Sequence, residues 1–179
     1  TKSRVVTVNG GYIKGGANYR ANDNSNFFFN VGQIMRPPSF DGVFPNADYD
    51  FEEADEILNE SFTSFELGYG FRSSNFKGTI NAYHTVWGDR TLRRSTSIDD
   101  QGVRIIYSGV EQTHQGIEGE MTWYPSSRLR IKGMVSLGDW KYTKNFQGDA
   151  YFIDNNQPAG TTGTPVSYTH LRAHETSRN

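Results

Sequence analysis

The sequence predicts an all-β chain: part of an antiparallel, up-and-down transmembrane β-barrel, with about six strands. Three observations lead there. Apolar and polar residues alternate with a period of two along much of the chain. Short turns and long links alternate between the strands. Aromatic residues make up 14% of the chain and crowd one face of nearly every strand. Barrels of the outer-membrane kind have strands of about 9–11 residues, short turns at one end and long loops at the other.

The first hairpin has the noisiest pattern. Gly15 to Arg20 (GGANYR) and Asn26 to Ile34 (NFFFNVGQI) form it around residues 21–25, and residues 3–9 extend its first strand. Phe27, Phe29 and Val31 share a face with Ala17 and Tyr19. The clearest strand is SFELGYGFR, Ser64 to Arg72. Phe65, Leu67, Tyr69 and Phe71 take one parity; Ser64, Glu66, Gly68, Gly70 and Arg72 take the other. After Ser73-Ser74 the alternation resumes, with Phe76, Gly78, Ile80, Ala82, His84 and Val86 opposite Lys77, Thr79, Asn81, Tyr83 and Thr85. A two-residue turn there opposes Phe71 to Phe76, Tyr69 to Gly78 and Glu66 to Asn81. The Tyr69 ring would then cover a strand glycine.

Ile117, Gly119, Met121 and Trp123 alternate with Glu118, Glu120, Thr122 and Tyr124, and Pro125-Ser126-Ser127 turns the chain. The next strand sets Leu129, Ile131, Gly133, Val135 and Leu137 against Arg130, Lys132, Met134, Ser136 and Gly138. In this register Trp123 opposes Leu129, Met121 opposes Ile131, and Glu120 opposes Lys132. An opposite-charge cross-strand pair of that kind contributes about 0.2–1 kcal/mol. Long links are expected over 36–61 and 88–112, with another beginning after Trp140. Trp87, Trp123, Tyr124 and Trp140 fall where interfacial aromatic girdles would lie.

Composition narrows the function classes. No run approaches the ~20 apolar residues of a membrane helix, and no N-terminal apolar stretch has the form of a signal peptide. A net charge of −2 argues against a general nucleic-acid binder. The lack of cysteine excludes disulfide scaffolds and thiolate metal sites. A soluble antiparallel sandwich also alternates. Against it stand the aromatic-rich apolar face, which suits lipid, and the charged, glycine-bearing polar face, which suits a wet lumen.

Three stretches carry a resemblance: FFFNVGQIMRPPSFDGVF, SFTSFELGYGFRSSNFKGTINAYHTVWGDRTLRRS and GVEQTHQGIEGEMTWYPSSRLRIKGMVSLGDW. Together they resemble the carboxy-terminal barrel half of TonB-dependent outer-membrane receptors, over roughly residues 10–155. The resemblance implies a barrel of about 22 strands occluded by a plug domain. It further implies a multi-pass Gram-negative outer-membrane location and TonB-driven uptake of a scarce nutrient: a siderophore, cobalamin, a glycan or a peptide. The implied partners are the TonB complex, reached through a plug absent from this chain, outer-membrane lipid and a small nutrient ligand. Neither a plug, a TonB box nor a closing strand ending in an aromatic appears, and six strands cannot close such a barrel. The polypeptide is therefore expected to be a fragment unable to transport alone. The other readings are a secreted carbohydrate-binding sandwich and a passive porin.

Candidate sites follow. In RPPSFDGVF, Arg36, Phe40, Asp41 and Phe44 are candidate ligand contacts on a loop. Glu66, Arg72, Glu118, Glu120, Arg130 and Lys132 are expected to pair as structural charges in the lumen. Glu118 and Glu120 resemble a glycosidase carboxylate pair, but neighbouring cations argue for structural pairing. Neither a Ser-His-Asp spacing nor a nucleotide-binding fingerprint appears, so no enzyme and no cofactor is expected. Arg90, Arg93 and Arg94 form a basic cluster that would suit an anionic ligand or lipopolysaccharide, or a solvated strand extension. The acidic segment 45–60 fails the calcium-loop pattern, since Glu53 stands where a glycine is needed counting from Asp48; it reads as a solvated loop. His170 and His174 have the i, i+4 spacing of a zinc site, yet VSYTHLRAHET, residues 166–176, resembles a translated sequencing adapter. The expected division is a partial barrel at 1–164 and a non-native tail at 165–179, with no metal site.

Overall fold

A computed structural model describes residues 5–44 and 57–164. The described chain is one antiparallel sheet of eight strands with one short helical turn. The strands are β1 (Gly11–Asn22), β2 (Ser25–Arg36), β3 (Glu60–Arg72), β4 (Phe76–Ile98), β5 (Gln101–Ser126), β6 (Leu129–Tyr142), β7 (Phe146–Phe152) and β8 (Pro158–Thr164). The turn α1 (Phe40–Val43) lies between β2 and β3. Strands β1 to β5 pair in sequence. β5 then takes two partners on one side: β6 along residues 112–126, and β7 along 103–107. β8 pairs with β7. The sheet does not close among the described residues.

Directly opposed residues share a face, so the register sorts the side chains. One row on the first face runs Ala17, Phe29, Leu67, Ala82, Ile117, Leu137. The next runs Tyr19, Phe27, Tyr69, Ile80, Gly119, Val135. These side chains are exposed: Leu67 61%, Ile117 51% and Leu137 70%. The opposite, polar face lines a hollow of about 690 Å³ whose walls include Asn26, Arg72, Lys77, Glu120 and Lys132. The buried apolar cluster lies elsewhere. Val103, Ile105, Tyr107, Val110, Phe146 and Ala150 form it at the far end of β5, against β7. The exposed apolar band stops at a polar row on its own face. There His84 Nδ1 lies 3.1 Å from Gln115 Oε1, Gln115 Nε2 donates to Asp139 at 3.2 Å, and Lys141 pairs with Asp139 at 3.0 Å.

Several expectations are corrected. Eight strands replace six, because the segment after Trp140 forms β7 and β8 rather than a long link, and residues 88–112 are not a loop. β4 and β5 run through them for 23 and 26 residues, far beyond the ~9–11 that cross a bilayer. Their hairpin turns at Asp99-Asp100, with φ of 49° and 62°, the left-handed geometry of a tight two-residue hairpin, in which Asp is tolerated. Bulges near Asp89 (φ 55°) and Gly109 (φ 68°) mark where this extension leaves the lower sheet. Residues 5–10 do not extend β1.

Two registers also shift by two residues. Phe71 opposes Gly78, and Tyr69 opposes Ile80. Trp123 opposes Ile131, and Met121 opposes Gly133. The first shift arises because Ser73 N bonds back to Phe76 O, so the turn consumes more chain than Ser73-Ser74. A shift of two preserves parity, so every face assignment survives it. Aromatic rings cover other glycines: Phe28 lies over Gly68, which it opposes, and Tyr107 over Gly148, so that an added Cβ at either would run into the ring.

Candidate functional site

A band of cations and aromatic rings crosses the polar face at the loop end of the sheet. Arg36 ends β2 and directly opposes Glu60, which starts β3. Its Nε and Nη2 both donate to Glu60 Oε2, at 2.9 and 2.6 Å. Glu60 is only 3% exposed. Trp87 Nε1 donates to the same oxygen at 3.2 Å. Trp87 opposes Phe62, and their rings stack with centres 4.5 Å apart. The Arg36 guanidinium lies 5.3 Å from the Phe62 ring centre and 5.6 Å from that of Trp87.

Beyond the β4 bulge, the Arg90 guanidinium lies 3.3 Å from the Trp87 ring centre, a cation–π contact. Arg90 Nη1 donates to Gln112 Oε1 at 2.5 Å, and His114 Nε2 approaches that oxygen at 3.5 Å. The His114 ring lies 5.7 Å from Trp140. Trp140 Nε1 donates to Tyr83 Oη at 3.0 Å. Five strands, β2 to β6, thus contribute to one surface. Arg90 stands outside the apolar band; burial pulls its pKa below the ordinary arginine value while the charge of Glu60 opposes the shift, and the group stays protonated.

The expected ligand contacts fall in two places. Arg36 joins this band. Phe40 and Asp41 belong to α1, and Phe44 follows it. The Phe40 and Phe44 rings are 5.2 Å apart, Phe40 exposed and Phe44 buried. α1 sits against β4, where Gly42 faces Thr91.

The expected charge pairs are rearranged too. Glu66 accepts from Asn30 and Asn81, each at 2.9 Å. Arg72 opposes Lys77, a like charge. Glu118 accepts from Ser136 at 3.4 Å. Glu120 opposes Met134 and Lys132 opposes Thr122, so these two charges sit diagonally rather than face to face. Arg130 falls in the irregular stretch between Leu129 and Ile131. Among the described residues no salt bridge joins Glu118 or Glu120 to Arg130 or Lys132.

Trp87 and Trp140 stand on the polar face, not in a lipid-side girdle, whereas Trp123 does occupy the apolar face. The Arg90, Arg93, Arg94 cluster is split. Arg90 turns to Trp87 and Gln112, while Arg93 opposes Ile106 and Arg94 opposes Ile105, on alternate faces. Residues 45–56 of the acidic segment and the pair His170 and His174 lie outside the described residues. Among the described residues no group of three His, Asp or Glu could hold a metal.

A protein-family model, described as TonB dependent receptor-like, beta-barrel, matches residues 6–174. No match was found among the curated proteins or the solved structures.

Proposed function

The chain belongs to the TonB-dependent receptor-like β-barrel family, and on that premise we propose that it imports a scarce nutrient across the outer membrane with energy delivered through TonB. The family is one of outer-membrane receptors and transporters rather than enzymes. One observation supports this reading most: a continuous apolar face is exposed across six strands while the buried core lies outside it. A soluble sheet would bury that face, because contiguous apolar patches beyond a few hundred Å² are rare on soluble monomers. In lipid the same face is satisfied. The free edges of the sheet then need pairing by further barrel strands, since unpaired backbone is not tolerated in hydrocarbon. The band from Arg36 to Trp140 would meet the nutrient at the mouth of the lumen, and a plug carrying the TonB contact would fill the hollow below it.

In this reading residues 1–164 carry the barrel, and 165–179 carry no function because residues 166–176 resemble a translated sequencing adapter. An intact genomic copy encoding VSYTHLRAHET would defeat that assignment. Fractionation tests the location: the intact receptor is expected in the outer membrane, with heat-modifiable migration. Recovery as a soluble protein would return the sandwich reading. Nutrient accumulation that persists in cells lacking TonB would favour a passive pore.

A further inference from the structure

We propose that Arg90 is the anchor for a carboxylate on the imported ligand, so that the receptor selects an anionic nutrient over a neutral one. This deepens the transporter reading and rests on it. A guanidinium has a flat face and an edge of five N–H donors. Stacking on Trp87 uses the face and leaves the edge for hydrogen bonds. Gln112 takes one donor, at Nη1. Nε is buried without a partner. Nη2 has no hydrogen bond among the described residues and is not among the sealed, unpartnered atoms. The edge formed by Nη1 and Nη2 is therefore still open to a ligand.

Among the described residues, the arginines of this band outnumber its carboxylates. Arg36 is matched by Glu60. Arg90 has no carboxylate within ion-pair distance among the described residues. Asp89 and Glu111 are engaged with Ser61 and with Lys144, and Glu60, whose charge acts on Arg90, is already paired with Arg36. Among the described residues one partly buried positive charge is left without an ion pair beside aromatic rings. A carboxylate would complete it with two parallel charge-assisted hydrogen bonds, with the ligand's apolar body beside the Trp140 ring, since Trp87 is already stacked on Phe62 and Arg90. A neutral glycan could rest on Trp140 but would leave the guanidinium unpaired, which costs affinity.

The test uses the intact receptor in detergent and two probes of equal shape, benzoate and benzamide, titrated calorimetrically. Benzoate is expected to bind about ten-fold tighter. R90M should abolish the preference, and R90K should keep part of it because lysine lacks the planar fork. Q112E offers a second route that leaves Arg90 in place. It sets a carboxylate against Nη1, and it too should weaken benzoate binding. Equal affinities, a preference that survives both R90M and Q112E, or no binding of either probe at about 10 mM would each overturn the inference. Membrane location and TonB-dependent uptake are read separately, so a receptor that imports its nutrient yet ignores benzoate loses only this inference.

Discussion

Glu60 accepts from three donors on two side chains, Arg36 Nε and Nη2 and Trp87 Nε1, while 3% exposed. The two halves of its ion pair are unequal, because the Arg36 side chain is 54% exposed. Removing Arg36 leaves a buried carboxylate with one indole donor. Neutralising Glu60 leaves a guanidinium that water can solvate. R36M is therefore expected to cost about 1–3 kcal/mol, and E60Q, whose amide oxygen still accepts, under about 1 kcal/mol. Urea unfolding of the receptor in vesicles measures both. Equal costs would mean that the buried carboxylate does not depend on Arg36. Little of this pair is legible in the sequence. The partners are 24 positions apart, and Glu60 reads as the end of an acidic loop until the β2–β3 register is known. Trp87 is different. Its parity with Tyr83 and Thr85 already places it on the polar face, and parity outweighs the argument from bulk near a strand end, since a one-residue slip flips every side chain.

At the scale of elements, faces are legible and lengths are not. The apolar parity of Phe65 to Phe71 and of Ile117 to Trp123 is written in the alternation, and it survives a register error of two. Turn length depends on bonds such as Arg72 N to Asn24 O and Tyr124 N to Asn75 O, which cross between hairpins. The extension at 88–112 is hidden by Arg90, Arg93 and Arg94, whose charges resemble a loop. Its strand character lies in Leu92, Val103, Ile105 and Tyr107, which pack into the buried cluster. The break between β6 and β7 is pinned to β5: Lys144 pairs with Glu111 at 2.7 Å, and Thr143 Oγ1 donates to it at 2.8 Å. Burial pushes the Glu111 carboxyl up, but the bonds from Lys144 and Thr143 and the charge of Lys144 outweigh it, and the net shift is downward. The hydrogen bond to Glu111 and its charge raise Lys144. A depressed carboxyl stabilises above its unfolded value and loses that contribution as pH falls through its folded value. A raised lysine contributes fully below its unfolded value and loses this as pH rises through its folded one. Amide protection at 143–152, taken relative to the intrinsic exchange rate at each pH, should therefore be greatest near neutrality and fall below pH 4.5 and above pH 10.5, the ordinary values of the two groups. Lys144 is 61% exposed, so the effect is about 0.2–1 kcal/mol. In E111Q the acid limb should vanish; an unchanged limb would assign it to another group.

For the whole molecule, the buried core and the exposed apolar band are separate structures, and each needs a different solvent. Val103 and Val110 are fully buried in the extension, as in any water-soluble sheet. Ile117 and Leu67 are bare in the lower sheet, and an apolar surrounding, the bilayer in the reading proposed above, would relieve that exposure. The row of His84, Gln115, Asp139 and Lys141 marks the boundary, because hydrogen-bonded polar groups gather where water returns. This division makes a depth-dependent prediction. Ile117 and Gln115 are neighbours on one face of β5, two residues apart, Ile117 inside the apolar band and Gln115 on the boundary row itself. An arginine at the midplane of a barrel's lipid face costs about 2–4 kcal/mol, falling to about 0–1 kcal/mol near the interface. I117R should therefore impair vesicle unfolding stability and outer-membrane assembly, while Q115R should be nearly silent. The luminal control N81R, on the other face, should perturb the bond to Glu66 without any lipid cost. If I117R and Q115R cost the same, the apolar face does not meet a bilayer, and the band must instead be covered by protein.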